Sequence, residues 1–201
     1  MTYRAWDFGG LPQDEWVRHS LDIRIRIAAA PYMQGWSYSL SNAKVLYDLP
    51  DAMGADRVEW EEGDAKVTNC STLTTSLLTS VYPDAPWTLR EYGDLQVFAD
   101  RLPSHPDSPI EAVDRMGVGE PVPELVHGQW HLVQGWRTFD PKTPRYSGHA
   151  FLVLAARSGD GIEVLEASSR RSVGPRWRAT TWASIKAEYP AGLFIAVLAG
   201  P

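Results

Sequence analysis

Apolar residues recur at helical spacing in two segments of the first half of the chain. Near the N-terminus, Trp16, Ile23 and Ile27 share one helical face. This spacing predicts a helix within residues 12–32, and Pro31 is expected to end it. The stretch IRIRIA inside the same segment alternates apolar and polar residues, so a strand is the alternative there.

The second helical segment follows Asn69. Leu73, Leu77 and Val81 recur every four residues and form one apolar stripe. Asn69 is expected to cap this helix, because its side chain can accept a hydrogen bond from an N–H of the first turn. The pair Tyr82–Pro83 is expected to end it.

The C-terminal third contains four short apolar segments bounded by Gly, Pro or Asp, which predict strands. The sequence RSGDG between the second and third segments predicts a hairpin loop. Because helices precede strands, we expect an α+β fold with an antiparallel sheet, formed as a single domain over residues 1–201. The four segments are WHLVQGW (130–136), GHAFLVLAAR (148–157), GIEVLEAS (161–168) and GLFIAVLAG (192–200).

Two segments lack a clear period. Residues 37–68 are acidic and are predicted to be a surface insertion with a short strand at RVEW (57–60), with a flap over a substrate cleft as the alternative. Residues 83–126 hold many prolines and are predicted to be loops around one short helix at 89–102.

The composition of the chain limits the kinds of partner that the protein is expected to bind. The net charge is -6, which offers no basic surface for nucleic acid. No apolar run approaches the roughly 20 residues that span a bilayer, and the N-terminus lacks the basic-then-apolar pattern of a signal peptide. We therefore expect a cytoplasmic protein without a membrane span, or one delivered outside by lysis or a signal-independent route.

Cys70, the only cysteine of the chain, lies at the start of the second predicted helix. A thiolate there is stabilised by the helix dipole and by N–H groups without intrahelical partners, which lower the pKa of the thiol. The same N–H groups can stabilise an oxyanion. Taken alone, a single cysteine beside an amphipathic helix is more often a small buried hydrophobic residue, so Cys70 by itself does not identify a nucleophile.

A nucleophilic cysteine needs a base, and His149 is the best placed of the five histidines. It follows Gly148 at the expected start of an apolar strand, at the rim of the sheet. Glu166 on the hairpin partner can orient the imidazole if the register allows, and Asp160 and Ser168 are the alternatives.

Another pair of histidines, His127 and His131, has the i, i+4 spacing of zinc ligands on a helix. Gly128 and the apolar alternation that follows indicate a loop and a strand instead. No metal and no cofactor are therefore expected.

The order of these parts resembles the NlpC-like cysteine peptidases, a papain-like group that cleaves peptidoglycan stem peptides. That family has a turn like Pro-Tyr-x-x-Gly-Gly, an Asp-Cys-Ser-Gly-Leu motif that opens a helix, a Gly-His strand and a hairpin partner with a third polar residue. The resemblance runs from about residue 13 to the end of the chain. The matching motifs here are PYMQGW (31–36), NCSTL (69–73), GHAFLVL (148–154) and LEAS (165–168).

The resemblance implies a papain-like fold with N-terminal helices packed on the sheet. It also implies that Cys70 is the nucleophile, His149 the general base and Glu166 the third member of the triad. Tyr32 matches a tyrosine that lines the cleft near the oxyanion in the family. The other residues expected around the oxyanion and substrate cleft are Asn69, Ser71, Trp36, Gln134 and Trp136.

The chain departs from the family pattern at several positions. Asn69 replaces an aspartate, Thr72 replaces a glycine, and Trp36 stands at the second glycine of the turn. Glu166 is a carboxylate where histidine, asparagine or glutamine is common. A carboxylate favours a charged imidazolium more strongly, and so a thiolate–imidazolium pair.

The expected activity is cleavage of an amide bond through an acyl-enzyme, with a peptidoglycan-type peptide as the substrate that the resemblance implies. An acyltransferase or a protein glutamine deamidase would use the same residues. A binding module that keeps the fold without catalysis is the alternative from another class. The oligomeric state is left open.

Overall fold

The computed structural model describes residues 21–39, 43–45, 58–59, 61–82, 110–116, 124–139, 146–156, 158–168 and 173–199. The predicted helix at 89–102 lies outside these ranges. The helices are α1 (Leu21–Ala29), a 3-10 helix (Ala30–Met33), α2 (Cys70–Val81) and α3 (Trp182–Glu188). The strands are β1 (Ser37–Tyr38), β2 (Lys44–Val45), β3 (Val58–Glu59), β4 (Val67–Thr68), β5 (Ile110–Met116), β6 (Trp130–Phe139), β7 (Tyr146–Ala155), β8 (Gly161–Ser168), β9 (Val173–Thr181) and β10 (Gly192–Leu198).

The central feature of the described chain is a six-stranded antiparallel sheet with the order β5-β10-β6-β7-β8-β9. β7 and β8 form the predicted hairpin, which the hydrogen bond from Ala156 N–H to Gly161 O closes at 2.9 Å. The mixed α+β class predicted from the order of elements is therefore observed.

The sheet packs helices on both faces because its side chains alternate between them. On one face, Leu132, Leu152 and Leu165 join the cluster that contains α1 and α2. On the other face, Val133 and Phe151 join the cluster that contains α3. The N-terminal helices thus cover one face of the sheet, as expected, and the C-terminal helix covers the other.

The apolar face of α1 differs from the prediction. Leu21, Ile25 and Ala28 are buried, whereas Ile23 is 42% exposed. The alternating IRIRIA sequence places isoleucine on several faces of a helix, and only packing against α2 selects Ile25 for the core. Pro31 does not end all helical structure either, because it lies in the 3-10 helix that continues α1.

The prediction for α2 is confirmed, including its Asn69 N-cap and its end before Pro83. Serine, threonine and the β-branched residues have modest helix propensity, yet every residue from Thr72 to Val81 is buried. Hydroxyl groups find partners inside the helix: Thr74 Oγ1 donates to Cys70 O and Thr75 Oγ1 to Ser71 O, both at 2.8 Å.

All four predicted strands are present, but after residue 83 the sequence interpretation missed three of the described elements. β5 lies in the segment predicted to be loops, and β9 and α3 lie between the third and fourth predicted strands. Pro175 argues against a central strand, but β9 is at the edge of the sheet, where proline is tolerated. β7 also begins at Tyr146 rather than at His149, because its pairing with β6 continues past an irregularity to Phe139.

Within the acidic segment 37–68, the described residues form four short strands where the sequence predicted one at 57–60. β3 confirms that strand, and it pairs in parallel with β2. β1 pairs in parallel with β4, which leads directly into Asn69 and α2. The two ends of the insertion therefore connect the PYMQGW turn to the start of the helix that carries Cys70.

Candidate active site

The start of α2 is shaped by its N-cap. Asn69 Oδ1 accepts hydrogen bonds from Thr72 N–H at 2.9 Å and from Ser71 Oγ–H at 3.0 Å. The N–H groups of Cys70 and Ser71 belong to the first turn and have no intrahelical acceptors. That of Ser71 donates to the sulfur of Cys70. The cap thus orients donors toward the thiol and toward the space in front of it.

The thiol of Cys70 contacts the imidazole of His149 by a hydrogen bond. Burial raises the pKa of the Cys70 thiol, but the bond and charge of His149, together with the N–H groups of Ala150 and Ser71, outweigh burial and lower it. Burial lowers the pKa of His149, but Cys70 and Glu166 outweigh burial and raise it. Both shifts favour a thiolate paired with an imidazolium.

Glu166 holds the other side of the His149 ring, with Oε2 at 3.0 Å from Nε2. Because Nε2 is engaged by Glu166, Nδ1 is the ring nitrogen that we assign to the contact with the thiol. The register explains the placement: Val153 pairs with Val164 and Leu152 with Leu165, so Glu166 follows on the face that also carries Phe151 and His149. Both side chains are buried, with 4% of His149 and 2% of Glu166 exposed.

The two alternatives to Glu166 as the residue that orients His149 do not make this hydrogen bond. Asp160 is in the hairpin loop at the far end of β7, where its Oδ2 accepts a hydrogen bond from Ala183 N–H at the start of α3. Ser168 is buried at the end of β8. Among the three polar residues considered from the sequence, Glu166 is the one placed against His149.

Two arginines that the sequence interpretation missed neutralise Glu166. Arg176 donates to Oε1 through Nη2 at 2.5 Å and Nε at 3.2 Å. Arg178 Nε lies 3.1 Å from the same oxygen as an ion-pair contact. Burial raises the pKa of Glu166, but the bonds from His149 and Arg176 and the charge of Arg178 lower it to about 2. The alternation Arg-Trp-Arg in β9 was the signal for a strand with both arginines on one face.

An aromatic residue missed in the sequence completes the surroundings of His149. Tyr189, directly after α3, stacks on the imidazole with ring centroids 6.3 Å apart, and Phe151 stacks at 5.3 Å. Gly135 permits this approach, because a Cβ on it would lie 2.3 Å from Tyr189 Cγ. Arg137 covers the outer side of the Tyr189 ring at 5.1 Å.

The structure does not bring Tyr32 to the cleft, which corrects the expected oxyanion role. Tyr32 is fully buried, and its hydroxyl lies 2.5 Å from Ser76 Oγ. Ser76 is six residues beyond Cys70 on α2, about 9 Å along the helix axis. Tyr32 therefore joins the 3-10 helix to the middle of α2 and does not point at the nucleophile.

Trp36 is likewise buried, with its ring 4.8 Å from that of Tyr32. Its carbonyl oxygen packs against Gly174 of β9, where an added Cβ would lie 1.9 Å away. Trp36 thus anchors the PYMQGW turn to the edge of the sheet, which is a different role from the cleft position expected.

Gln134 and Trp136 lie beside Gly148, the residue before His149. A Cβ on Gly148 would be 3.4 Å from both Gln134 Nε2 and Trp136 Cδ1. Gln134 is buried, and its Oε1 has no hydrogen-bond partner among the described residues. These two side chains are therefore close to the strand position that precedes His149.

The histidine pair considered for zinc does not converge. His131 is buried in β6 and accepts a hydrogen bond from Val126 N–H at Nε2, 3.1 Å away. His127 is exposed, with Nδ1 2.9 Å from Ala156 O. Within the described ranges, no group of three or more histidine, cysteine or carboxylate side chains could hold a metal ion. In the same part of the chain, no helix combines the length and apolar character needed to cross a membrane.

Comparisons with protein-family models, with curated proteins and with solved structures gave no match to this chain.

Proposed function

We propose that the protein is a papain-like cysteine hydrolase that cleaves an amide bond through an acyl-enzyme. The observation that carries the proposal is the chain of contacts from Cys70 to His149 to Glu166 at the start of α2. A nucleophile, a base and a residue that orients the base are the three parts that covalent acyl transfer requires.

In the first step, the Cys70 thiolate attacks the carbonyl carbon and forms a carbon–sulfur bond. The oxygen becomes an oxyanion, and the Cys70 N–H in the first turn of α2 is the backbone donor that we assign to it. The His149 imidazolium gives its proton to the leaving nitrogen, and the carbon–nitrogen bond breaks. A thioester of Cys70 and a free amine remain.

In the second step, neutral His149 takes a proton from water as the water oxygen attacks the thioester carbon. The carbon–sulfur bond then breaks, the acid product leaves, and the thiolate–imidazolium pair is restored. Glu166 holds the ring in one orientation through both steps because it bonds to Nε2 and leaves Nδ1 to move the proton.

We infer a peptidoglycan-type peptide as the substrate class from the four motifs that resemble the NlpC-like peptidases. The placement of three of these motifs supports this choice: NCSTL opens α2, GHAFLVL lies in β7 and LEAS lies in β8. The departures at Thr72 and Trp36 concern the surroundings of the nucleophile and the turn, and leave the triad itself unchanged.

The proposal is tested by incubating the purified protein with peptidoglycan stem peptides, with a protein rich in exposed glutamine, and with an acyl donor plus an amine acceptor. We expect new amino termini from the stem peptides and no product from Cys70→Ala. Ser80→Ala is the matched control, because Ser80 lies at the other end of the same helix and its hydroxyl has no partner among the described residues.

Other outcomes would change the assignment. Release of ammonia from the glutamine-rich protein would make the protein a deamidase, and transfer to the amine acceptor would make it an acyltransferase. Products formed equally by wild type and Cys70→Ala would contradict the proposal altogether.

A further inference from the structure

The two carboxylate oxygens of Glu166 have different partners: Oε2 contacts the imidazole of His149, and Oε1 contacts two arginines. Oε2 faces His149 at 3.0 Å, whereas Oε1 receives two hydrogen bonds from Arg176 and the ion-pair contact of Arg178. Glu166 is almost completely buried, so few water molecules can screen these charges. The carboxylate therefore cannot act on the imidazole as an isolated negative charge.

The two arginines are not equivalent. Arg178 is shared, because its Nη2 lies 3.7 Å from Glu188 Oε2 while its Nε faces Glu166. Glu188 in turn contacts Arg137 Nη2 at 3.3 Å. In the described part of the chain, Arg176 pairs with no carboxylate other than Glu166. These three arginines and two glutamates, of which Glu166 also belongs to the triad, together carry one surplus positive charge.

That surplus matters because His149 must both hold and release a proton in each cycle. A general acid–base group works best when its pKa lies near the operating pH. A carboxylate at 3.0 Å without any other cationic partner would hold the imidazolium proton tightly and slow its transfer to the leaving nitrogen. A carboxylate clamped by two guanidinium groups orients the ring as firmly while attracting the proton less.

We propose that Arg176 and Arg178 are positioning residues that act through Glu166: they orient its Oε2 onto His149 and moderate how strongly it holds the imidazolium proton. This inference rests on the proposed function, since it concerns the same triad. Among the described residues, the other charged or titratable groups that face His149 are Cys70 of α2 and Tyr189 after α3, and Arg137 of β6 lies over the Tyr189 ring.

The test follows the rate of Cys70 alkylation by iodoacetamide as a function of pH, which needs no substrate. The paired site gives two transitions: the lower one forms the thiolate–imidazolium pair, and the upper one removes the imidazolium proton. We expect Arg176→Gln and Arg178→Gln each to move the upper transition to higher pH by about half a unit or more. Glu166→Gln should move the upper transition to lower pH, because it removes the negative charge and leaves both arginines.

Arg176→Lys is the matched control, since it keeps the charge and should leave the upper transition near its wild-type position. If Arg176→Gln does not fold, Arg178→Gln carries the test, because Arg178 makes only an ion-pair contact with Glu166. An unchanged upper transition in a folded arginine-to-glutamine variant would overturn the inference, as would a shift in the direction of Glu166→Gln. A wild-type Cys70 with the single transition of an ordinary thiol would overturn the proposed function, and this inference with it.

Discussion

His149 and His131 lie on neighbouring strands of the same sheet and are both buried, yet their surroundings shift their pKa values in opposite directions. Burial lowers the pKa of His131 from 6.5 to about 4, and its Nε2 accepts a hydrogen bond as a neutral ring does. Burial also opposes the charged form of His149, but Cys70 and Glu166 outweigh it. The pKa of the buried histidine is therefore lowered on one strand and raised on the next.

The difference shows that burial alone does not determine whether the pKa of a histidine is raised or lowered. A buried imidazole with only backbone partners stays neutral and contributes to packing and hydrogen bonding. A thiol and a carboxylate beside a buried imidazole instead raise its pKa, because both favour the charged ring. The partners are supplied by α2 and β8, which are separated by about ninety residues in the sequence.

The largest effect should come from removing each histidine in turn. His149→Ala leaves the Cys70 thiol buried without its partner, so its pKa rises and the rate of alkylation at pH 6 falls by about 100-fold or more. His131→Ala should leave that rate unchanged and instead lower the free energy of unfolding by about 2 kcal/mol, because Val126 N–H loses its acceptor and a cavity remains.

Alkylation rates and urea unfolding curves of the two variants check this expectation. Equal alkylation rates in the two folded variants would contradict the assigned difference between the histidines.

A second prediction concerns the pH dependence of stability. The pKa of His131 is lower in the folded protein than in the unfolded chain, so its contribution is fully present above pH 6.5 and is lost as the pH falls toward 4. Between pH 7 and pH 5 the loss is about 2 kcal/mol. His131→Gln keeps an acceptor for Val126 N–H without a titrating group, so its stability should fall less over the same range.

Urea unfolding at pH 7 and pH 5 gives both differences. This range lies above the one in which Glu166 contributes, because that contribution is lost only as the pH falls from 4.5 toward 2. A parallel decline of wild type and His131→Gln would show that His131 does not remain neutral in the folded protein.

A smaller effect is expected from the packing around His149. Gly135→Ala would place a methyl group 2.3 Å from Cγ of the fully buried Tyr189, which stacks on His149. We expect a loss of about 1–2 kcal/mol in the free energy of unfolding and a modest fall in Cys70 alkylation at pH 6. Gly161→Ala is the control, since its Cβ would meet only Ala156 Cβ at 3.8 Å.

Thermal melting and alkylation of these two glycine variants provide the measurement. If Gly135→Ala and Gly161→Ala are equally stable and equally reactive, the close approach of Tyr189 does not hold His149 in place.

Local patterns were sufficient to predict α2, its cap and the four apolar strands, because their periodicity and their caps are encoded within a few residues. The same patterns led to the hypothesis that Cys70, His149 and Glu166 form one site, since the start of a helix, a strand and a hairpin each have a local sequence signal. The position of Glu166 relative to His149 needed the register, which long-range packing fixes.

What the sequence did not predict depends on contacts between distant segments. Tyr32 turned inward because Ser76 offers its hydroxyl a partner in the core, and no local pattern contains that contact. The edge strand β9 was missed because Pro175 interrupts its pattern, although the alternating Arg176 and Arg178 were visible. The contact of those arginines with Glu166 depends on the pairing of β9 with β8, which places Arg176 opposite Glu166.

If Cys70 and His149 form an ion pair, the His149 ring must carry a proton on both nitrogens at neutral pH. Nitrogen-15 NMR of the histidine side chains at pH 7 should show His149 with both ring nitrogens protonated and His131 as a neutral ring. In Cys70→Ala, His149 should lose its proton at a lower pH than in wild type. A His149 that is neutral at pH 7 in the wild type and titrates identically in Cys70→Ala would contradict the account.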